Sequence, residues 1–268
     1  MKGALPGIRL ACLPAVLLVV ILVNGCASNP QQDVEQVTSA SEQSDDQRRA
    51  RIRLQLAVGY YQQRQFPVAL EELRVALQAD PRLADAYSMR GLIQMEMGED
   101  RLAEESFKQA LKLVPGDPDY NNNYGWFLCQ GGRARESIPY FQAALKNRSY
   151  QSPAKAYRNA GVCSLKLNDV KAAEDYFTQA FQLEPADTQT NFNLADLHYK
   201  QRDYQRAHFY IGRVLKAEVM TAEALWLGLR IERKLGDRGA ESSLATQLRR
   251  RHPASPEFAA YQRGAFDE

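Results

Sequence analysis

Four cysteines and three histidines are the side chains in this sequence best suited to nucleophilic, redox or metal chemistry. Each needs partners at a defined spacing before it can act. His198 and His208 fall in what read as the two helices of one hairpin, and His252 stands apart. Neither a cysteine nor a carboxylate pair accompanies them at ligand spacing, so no metal site is expected and the histidines read as partly exposed structural residues. The sequence contains no HExxH, GxSxG or CxxC and no glycine-rich phosphate loop. Its many Asp and Glu residues are spread along helix surfaces, as on a solvated face. No catalytic residue, cofactor or small-molecule substrate is therefore expected. The remaining chemistry rests on the cysteines.

Cys26 stands at the end of an N-terminal segment that must be set aside before the fold is read. Lys2 and Arg9 give a short positive region, and Leu10 to Val23 is an almost unbroken apolar run. Fourteen residues at 1.5 Å each reach roughly 21 Å as a helix, short of the ~30 Å hydrocarbon core, so residues 1–25 read as a signal peptide. The step Gly25-Cys26 directly after that run resembles the lipobox of bacterial lipoproteins. The resemblance implies cleavage before Cys26 and a covalent lipid on its thiol. The competing reading is a chance cysteine beside an ordinary signal cleavage site. Cys12 follows Ala11 but has no apolar run before it. In such lipoproteins Asp after the cysteine marks inner-membrane retention; Ala27 here implies a periplasm-facing anchor in the outer membrane. Several acyl chains on one residue make a stable anchor. Residues 26–45 supply that cysteine and a Ser-, Gln-, Asp- and Asn-rich tether with a reach of roughly 25 Å.

The full sequence has 34 basic and 32 acidic residues. Lys2 and Arg9 belong to the segment expected to be removed, and what remains balances at zero net charge. Such a chain has no electrostatic case for nucleic acid or a polybasic membrane surface.

From residue 46 to 268 the sequence repeats itself. Pro81 and Pro115 are 34 residues apart, and Pro185 and Pro253 are 68 apart. Repeats placed near 50–83, 84–117, 118–151, 154–187, 188–221 and 222–255 put those prolines in register, with one two-residue insertion near Gln151-Ser152. Ala57, Gly91, Gly125, Gly161 and Ala195 share the eighth position, while Leu73, Phe107, Phe141, Phe177 and Ile211 share the twenty-fourth. This pattern resembles the tetratricopeptide repeat. The small eighth residue lets paired helices approach, the large twenty-fourth fills the gap to the next hairpin, and proline ends the second helix. Gly98, Gly131-Gly132, Asn168 and Gly236 fall where left-handed turns are needed. The expected fold is all-α, a right-handed superhelix of six hairpins. One further helix, Pro256–Arg263, should cap the last hairpin.

A concave groove follows from this fold, lined by the first helix of each hairpin. In its first half that reading selects Leu54, Val58, Tyr61, Leu92, Met95, Asn122 and Trp126, and it continues through Val162, Leu165, Phe192, Asp196, Tyr199, Trp226 and Arg230. Leu54 and Val58 stand where chaperone-binding tetratricopeptide domains carry the Lys and Asn of a carboxylate clamp, so such a clamp is not expected. An apolar, aromatic groove suits an amphipathic helix or an apolar extended segment. The alternative for Trp126 and Trp226 is packing between hairpins. Cys129 and Cys163 lie late in the first helices of consecutive repeats. They read as a possible disulfide or as two buried reduced thiols.

Lipobox, polar tether and six repeats together resemble the PilF/PilW family of type IV pilus biogenesis lipoproteins. The run Asn121-Asn122-Asn123-Tyr124-Gly125-Trp126-Phe127-Leu128-Cys129, followed by Gly131, is similar to that family's third repeat, and Cys163 fits it too. The resemblance implies a pilotin: a protein that binds the pilus secretin and carries it by its lipid to the outer membrane, supporting multimer assembly, piliation and twitching motility. Two other readings stand beside it. One is a lipoprotein scaffold for outer-membrane-protein assembly or for recruiting cell-wall hydrolases and proteases. The other is a cell-wall enzyme, for which no catalytic constellation is present.

Overall fold

The computed structural model describes residues 44–216 and 220–266. The expected signal peptide, Cys26 and nearly all of the tether lie outside them. Thirteen helices and no strand are found among the described residues. The first six are α1 (Asp45–Gln62), α2 (Phe66–Ala79), α3 (Ala84–Glu96), α4 (Asp100–Leu113), α5 (Pro118–Gln130) and α6 (Ala134–Lys146). They continue as α7 (Pro153–Lys166), α8 (Val170–Leu183), α9 (Thr188–Lys200), α10 (Tyr204–Val214), α11 (Ala222–Leu235), α12 (Arg238–Arg251) and α13 (Pro256–Arg263). Each odd-numbered helix up to α11 packs most extensively on the helix that follows it, which makes six antiparallel hairpins. Successive hairpins stack to form a repeat superhelix, and α13 closes the stack against α11 and α12.

Local chemistry sets the helix ends. Ser44 starts α1 with a reciprocal capping box to Gln47. Asp117, Asp169, Asp187, Asp203, Thr221, Asp237 and Ser255 each accept a backbone N–H at the start of their helices, satisfying a donor that has no partner within the helix. Four second helices stop in the same way. Asp80, Val114, Glu184 and His252 each precede a proline, whose ring excludes the helical conformation, and they adopt φ of −136°, −138°, −131° and −134°.

Inside every hairpin the chain reverses through one left-handed residue: Arg64, Gly98, Gly132, Asn168, Arg202 and Gly236. Their spacing is 34 residues throughout except for 36 between Gly132 and Asn168, which spans the insertion. Gly131, expected to share this role, instead has φ −75°.

The periodic core is a contact between the eighth and twenty-fourth positions of one repeat. A β-carbon on Gly161 would lie 2.6 Å from the Phe177 ring; on Gly91 it would lie 2.7 Å from Phe107, and on Gly125 3.0 Å from Phe141. Those phenylalanines are almost fully buried. They also reach the next hairpin: Phe107 packs 6.2 Å from the Tyr124 ring and 5.5 Å from Phe127. The glycine therefore makes room for a ring that joins two hairpins. Alanine would gain roughly 1 kcal/mol of helix propensity, against an overpacking cost of about 1–3 kcal/mol. Gly161→Ala should be clearly destabilising and Gly125→Ala close to neutral in urea unfolding. Equal effects would mean the ring contact does not set the glycine.

Ion pairs tie hairpins together at a few points. Glu104 on α4 accepts from Tyr124 Oη at 2.9 Å and Arg133 Nη1 at 3.0 Å, and pairs with Lys108 Nζ at 2.8 Å. The Lys108 ammonium, opposed by partial burial and reinforced by Arg133 and Tyr124, holds this carboxyl well below the usual carboxylate range, at about 2. Because its folded pKa is depressed, its contribution is complete above the unfolded value of about 4.3 and is lost as pH falls towards 2. Glu104→Gln should lower stability by about 1–2 kcal/mol at pH 7. The difference from wild type should shrink as pH falls from about 4 towards 2 in parallel urea titrations. A pH-independent difference would show that its ionisation is not what matters.

Candidate functional site: a cleft along the first helices of the hairpins

The first helices of the middle hairpins run side by side and enclose a cleft of about 690 Å³. Leu92 and Met95 come from α3, Asn122 and Trp126 from α5, and Tyr61 enters from the last turn of α1. Val162 and Phe192, from the later part of the groove reading, also line it. Trp126 is half-buried and faces this space. Trp226 does not: it is 9 % exposed and stacks on Phe266 at 5.5 Å, inside the core beneath α13. Trp126 thus lines the cleft while also packing on the Cys129–Cys163 cluster between the third and fourth hairpins, and Trp226 only packs.

Leu54 and Val58 lie outside the cleft lining. Leu54 packs on the core formed by Ala57, Leu73, Ala86 and Ile93, because these turns of α1 face its own hairpin partner and α3. Tyr199 and Leu165 are likewise drawn into inter-hairpin clusters, Asp196 pairs with Lys200, and Arg230 covers the Tyr199 ring at 4.6 Å.

Several residues that the groove reading passed over also line the cleft. Lys155, Arg158 and Asn159 come from α7, and Gln189 and Asn193 from α9. Three carboxamides form a chain across α7, α5 and α3. Asn159 Nδ2 donates to Asn122 Oδ1 at 3.0 Å, Asn122 Nδ2 donates to Asn123 Oδ1 at 3.3 Å, and Asn123 Nδ2 donates to Ser88 Oγ at 3.2 Å. Arg158 pairs at 2.7 Å with Asp187, the cap of α9. The one sequence signal that points to them is the recurrence of polar residues in the first two turns of successive first helices.

Cys129 and Cys163 are fully buried and joined by a disulfide, with Cα atoms 5.8 Å apart. It staples α5 to α7, the two helices that carry Trp126 and Val162 into the cleft.

The histidines all have structural partners. His198 is 1 % exposed rather than partly exposed; it stacks on Tyr210 at 5.5 Å and its Nδ1 lies 3.1 Å from Gln201 Oε1. Burial pushes its pKa down, with nearby Arg206 adding to the effect. His208 Nδ1 lies 2.7 Å from Glu232 Oε1, and His252 Nε2 lies 2.8 Å from the Met220 carbonyl oxygen. Among the described residues no group of three or more His, Cys, Asp or Glu side chains is placed to hold a metal ion.

Tetratricopeptide-repeat family models match residues 54–118, 90–153, 128–188 and 164–229. The chain is 28 % identical over 247 residues to a protein of Pseudomonas aeruginosa named type IV pilus assembly protein PilF, covering 92 % of this chain and 96 % of that one. Among solved structures it resembles PilF of Pseudomonas aeruginosa, with a TM-score of 0.75 at 29 % identity over 82 % of this chain and 99 % of that one. It also resembles PilW, described as a widely conserved type IV pilus biogenesis factor, with a TM-score of 0.74 at 32 % identity over 80 % of this chain and 98 % of that one. With six stacked hairpins and a similarity running through all of them, the chain belongs to the PilF/PilW family of tetratricopeptide-repeat proteins.

Proposed function

We propose that this protein is an outer-membrane lipoprotein adaptor of type IV pilus biogenesis, a pilotin that binds the pilus secretin and promotes its localisation and multimerisation in the outer membrane. The observation that carries the proposal is similarity along nearly the whole chain to a type IV pilus assembly protein, combined with an open cleft sized for a protein segment. The lipid on Cys26 supplies the address in this reading, and the cleft holds the client. A cleft lined by half-buried aromatic and aliphatic side chains gains free energy by covering them, which is how tetratricopeptide scaffolds and other grooved domains take protein segments.

Affinity capture of the secretin by the full chain tests the client. Tyr61→Glu and Trp126→Glu each place a charge in the apolar part of the cleft. Both are expected to reduce capture at least tenfold while leaving the helical circular dichroism signal unchanged. Unaltered capture by both variants would move the client site elsewhere on the protein.

A further inference from the structure

One end of the hairpin stack is closed and the other is open. The tenth position of each repeat after the first holds Ile93, Phe127, Cys163, Leu197 or Ile231, and each packs into the core of the hairpin before it. The third position lies two turns earlier on the same face, and there Ala86, Tyr120, Ala156, Thr190 and Ala224 are all buried too. At the far end α13 covers α11 and α12. No hairpin precedes α1 among the described residues, so its matching face has no cover. Ile52, at the third position, is 51 % exposed, and Leu56, one turn later, is 43 % exposed. A β-carbon on Gly59, at the tenth, would meet nothing within 4 Å.

Terminal repeats of solenoids ordinarily turn a polar face outwards. Here the uncovered stripe is apolar and stands among arginines. α1 carries Arg48, Arg49, Arg51 and Arg53 against Asp45 and Asp46 as its only acids, four less two, a local excess of two positive charges. The near balance of charge over the whole chain hides this excess. Arg48 pairs with Asp45 at 3.1 Å, Arg49 with Asp46, and Arg53 with Glu72 on α2 at 2.9 Å. Arg51 makes neither a hydrogen bond nor an ion pair among the described residues. The pairs of Arg48 and Arg49 join side chains that are more than half exposed, and such pairs hold so weakly that another anion can replace the aspartate.

The place of this stripe in the chain selects what covers it. Cys26, read as the lipidated residue, is followed by seventeen residues before Ser44, the cap of α1. A linker of that length reaches roughly 25 Å. The bilayer surface therefore stands at a roughly millimolar effective concentration to α1, the element nearest the anchor in the chain. Two large apolar side chains fall far short of the about 800 Å² that each side of a stable protein–protein interface buries. A surface already held within reach needs little further affinity. Apolar side chains flanked by arginines are also the composition of a helix lying in the plane of a bilayer interface, with its apolar groups at the acyl boundary and its guanidinium groups at the phosphates.

We infer that the outer face of α1 docks on the membrane that holds the anchor, with Ile52 and Leu56 in the head-group boundary and Arg48, Arg49 and Arg51 towards anionic phospholipid head groups. The inference rests on the lipoprotein reading of Cys26 and adds a second contact to it. Hairpins stack outwards from α1, so a docked first hairpin directs the stack away from the lipid. The cleft, built mainly by α3, α5, α7 and α9, then stands clear of the head groups and open to a client.

The test uses the full-length gene product purified from membranes in detergent and reconstituted into nanodiscs, one copy per disc, with amide hydrogen exchange read along the chain. Discs of phosphatidylethanolamine and phosphatidylglycerol in equal amounts are compared with discs of phosphatidylcholine alone. Intact mass reports the lipid on Cys26. The expected result is exchange over α1 slowed at least about fivefold in the anionic discs, with α11 to α13 unchanged, and the slowing relieved by added salt. Ile52→Glu with Leu56→Glu should abolish the slowing, and Arg49→Glu with Arg51→Glu should remove most of it. All four side chains are exposed, so the helical circular dichroism signal should stay as it is. Equal exchange in the two kinds of disc, or slowing untouched by both double variants, would overturn the inference and leave the anchor standing. A chain without lipid on Cys26 would overturn the anchor and the inference with it. Slowing that needs two copies in a disc would assign the face to a second copy. Loss of secretin capture in detergent by Ile52→Glu with Leu56→Glu would assign it to the client. Either of these would overturn membrane docking.

Discussion

Phe177→Ala is expected to lower the unfolding free energy by about 3–5 kcal/mol, the largest effect of any single substitution proposed for this protein. The ring has no exposed surface and shares a cluster with Ala173, Leu194 and Leu197, so it joins the fourth hairpin to the fifth. On its other side stands Gly161, which has no side chain to move into the space a lost ring would leave. The cavity therefore cannot collapse readily, which places the cost towards the upper part of that range. The sign of a second change distinguishes this account from a generic core defect. Gly161→Ala destabilises in the wild-type background because its β-carbon meets the ring. In the Phe177→Ala background that clash is gone, and roughly 1 kcal/mol of helix propensity should make the same change neutral or stabilising. Urea unfolding of the four proteins of the cycle measures this. Additive effects would contradict the proposed contact.

The second large effect concerns the Cys129–Cys163 disulfide, which closes a loop across a sequence separation of 34 residues. The chain-entropy relation gives about 3–4 kcal/mol for a loop of this length. Replacing both cysteines with alanine should cost about that much, with a small further loss from the buried sulfur atoms. Reduction of the wild type should reproduce most of it. Because the bridge links α5 to α7, loosening should concentrate in the third and fourth hairpins, read as faster amide exchange there than in the first. Unreduced, unfolded protein in which both thiols titrate, or a double variant as stable as wild type, would contradict this assignment.

The architecture was readable because one physical contact recurs. Gly91, Gly125 and Gly161 each accommodate a ring exactly sixteen residues later, so the packing requirement is written directly into the spacing. The same holds for the prolines that stop the second helices. The hairpin turns were only partly readable: Gly98 and Asn168 announce a left-handed residue, whereas Arg64 and Arg202 adopt it because the hairpin around them leaves no alternative. The cleft was harder still. Periodicity identifies which face of a first helix points inward, but not whether the neighbouring hairpin covers it. Trp126 and Trp226 stand at the ninth and the fifth positions of their repeats, both on the face read as the groove, yet α13 and Phe266 cover Trp226 and not Trp126. Leu54 was absorbed in the same way by the core of the first hairpins. Apart from Asn122, the polar part of the cleft lining went unread because Asn, Gln and Lys at the start of a helix look like ordinary solvated positions until the next helix is placed beside them. His198 reads as partly exposed because its burial depends on Tyr210 in the following helix.

The measurement that tests the central claim most directly is the amount of heat- and detergent-resistant secretin multimer in the outer membranes of three strains. These are a deletion strain, the same strain carrying the wild-type gene, and the same strain carrying Cys26→Ala. A lipid-dependent pilotin predicts multimer lost in the first, restored in the second, and missing or mislocalised in the third. Normal multimer in the outer membranes of all three would contradict it.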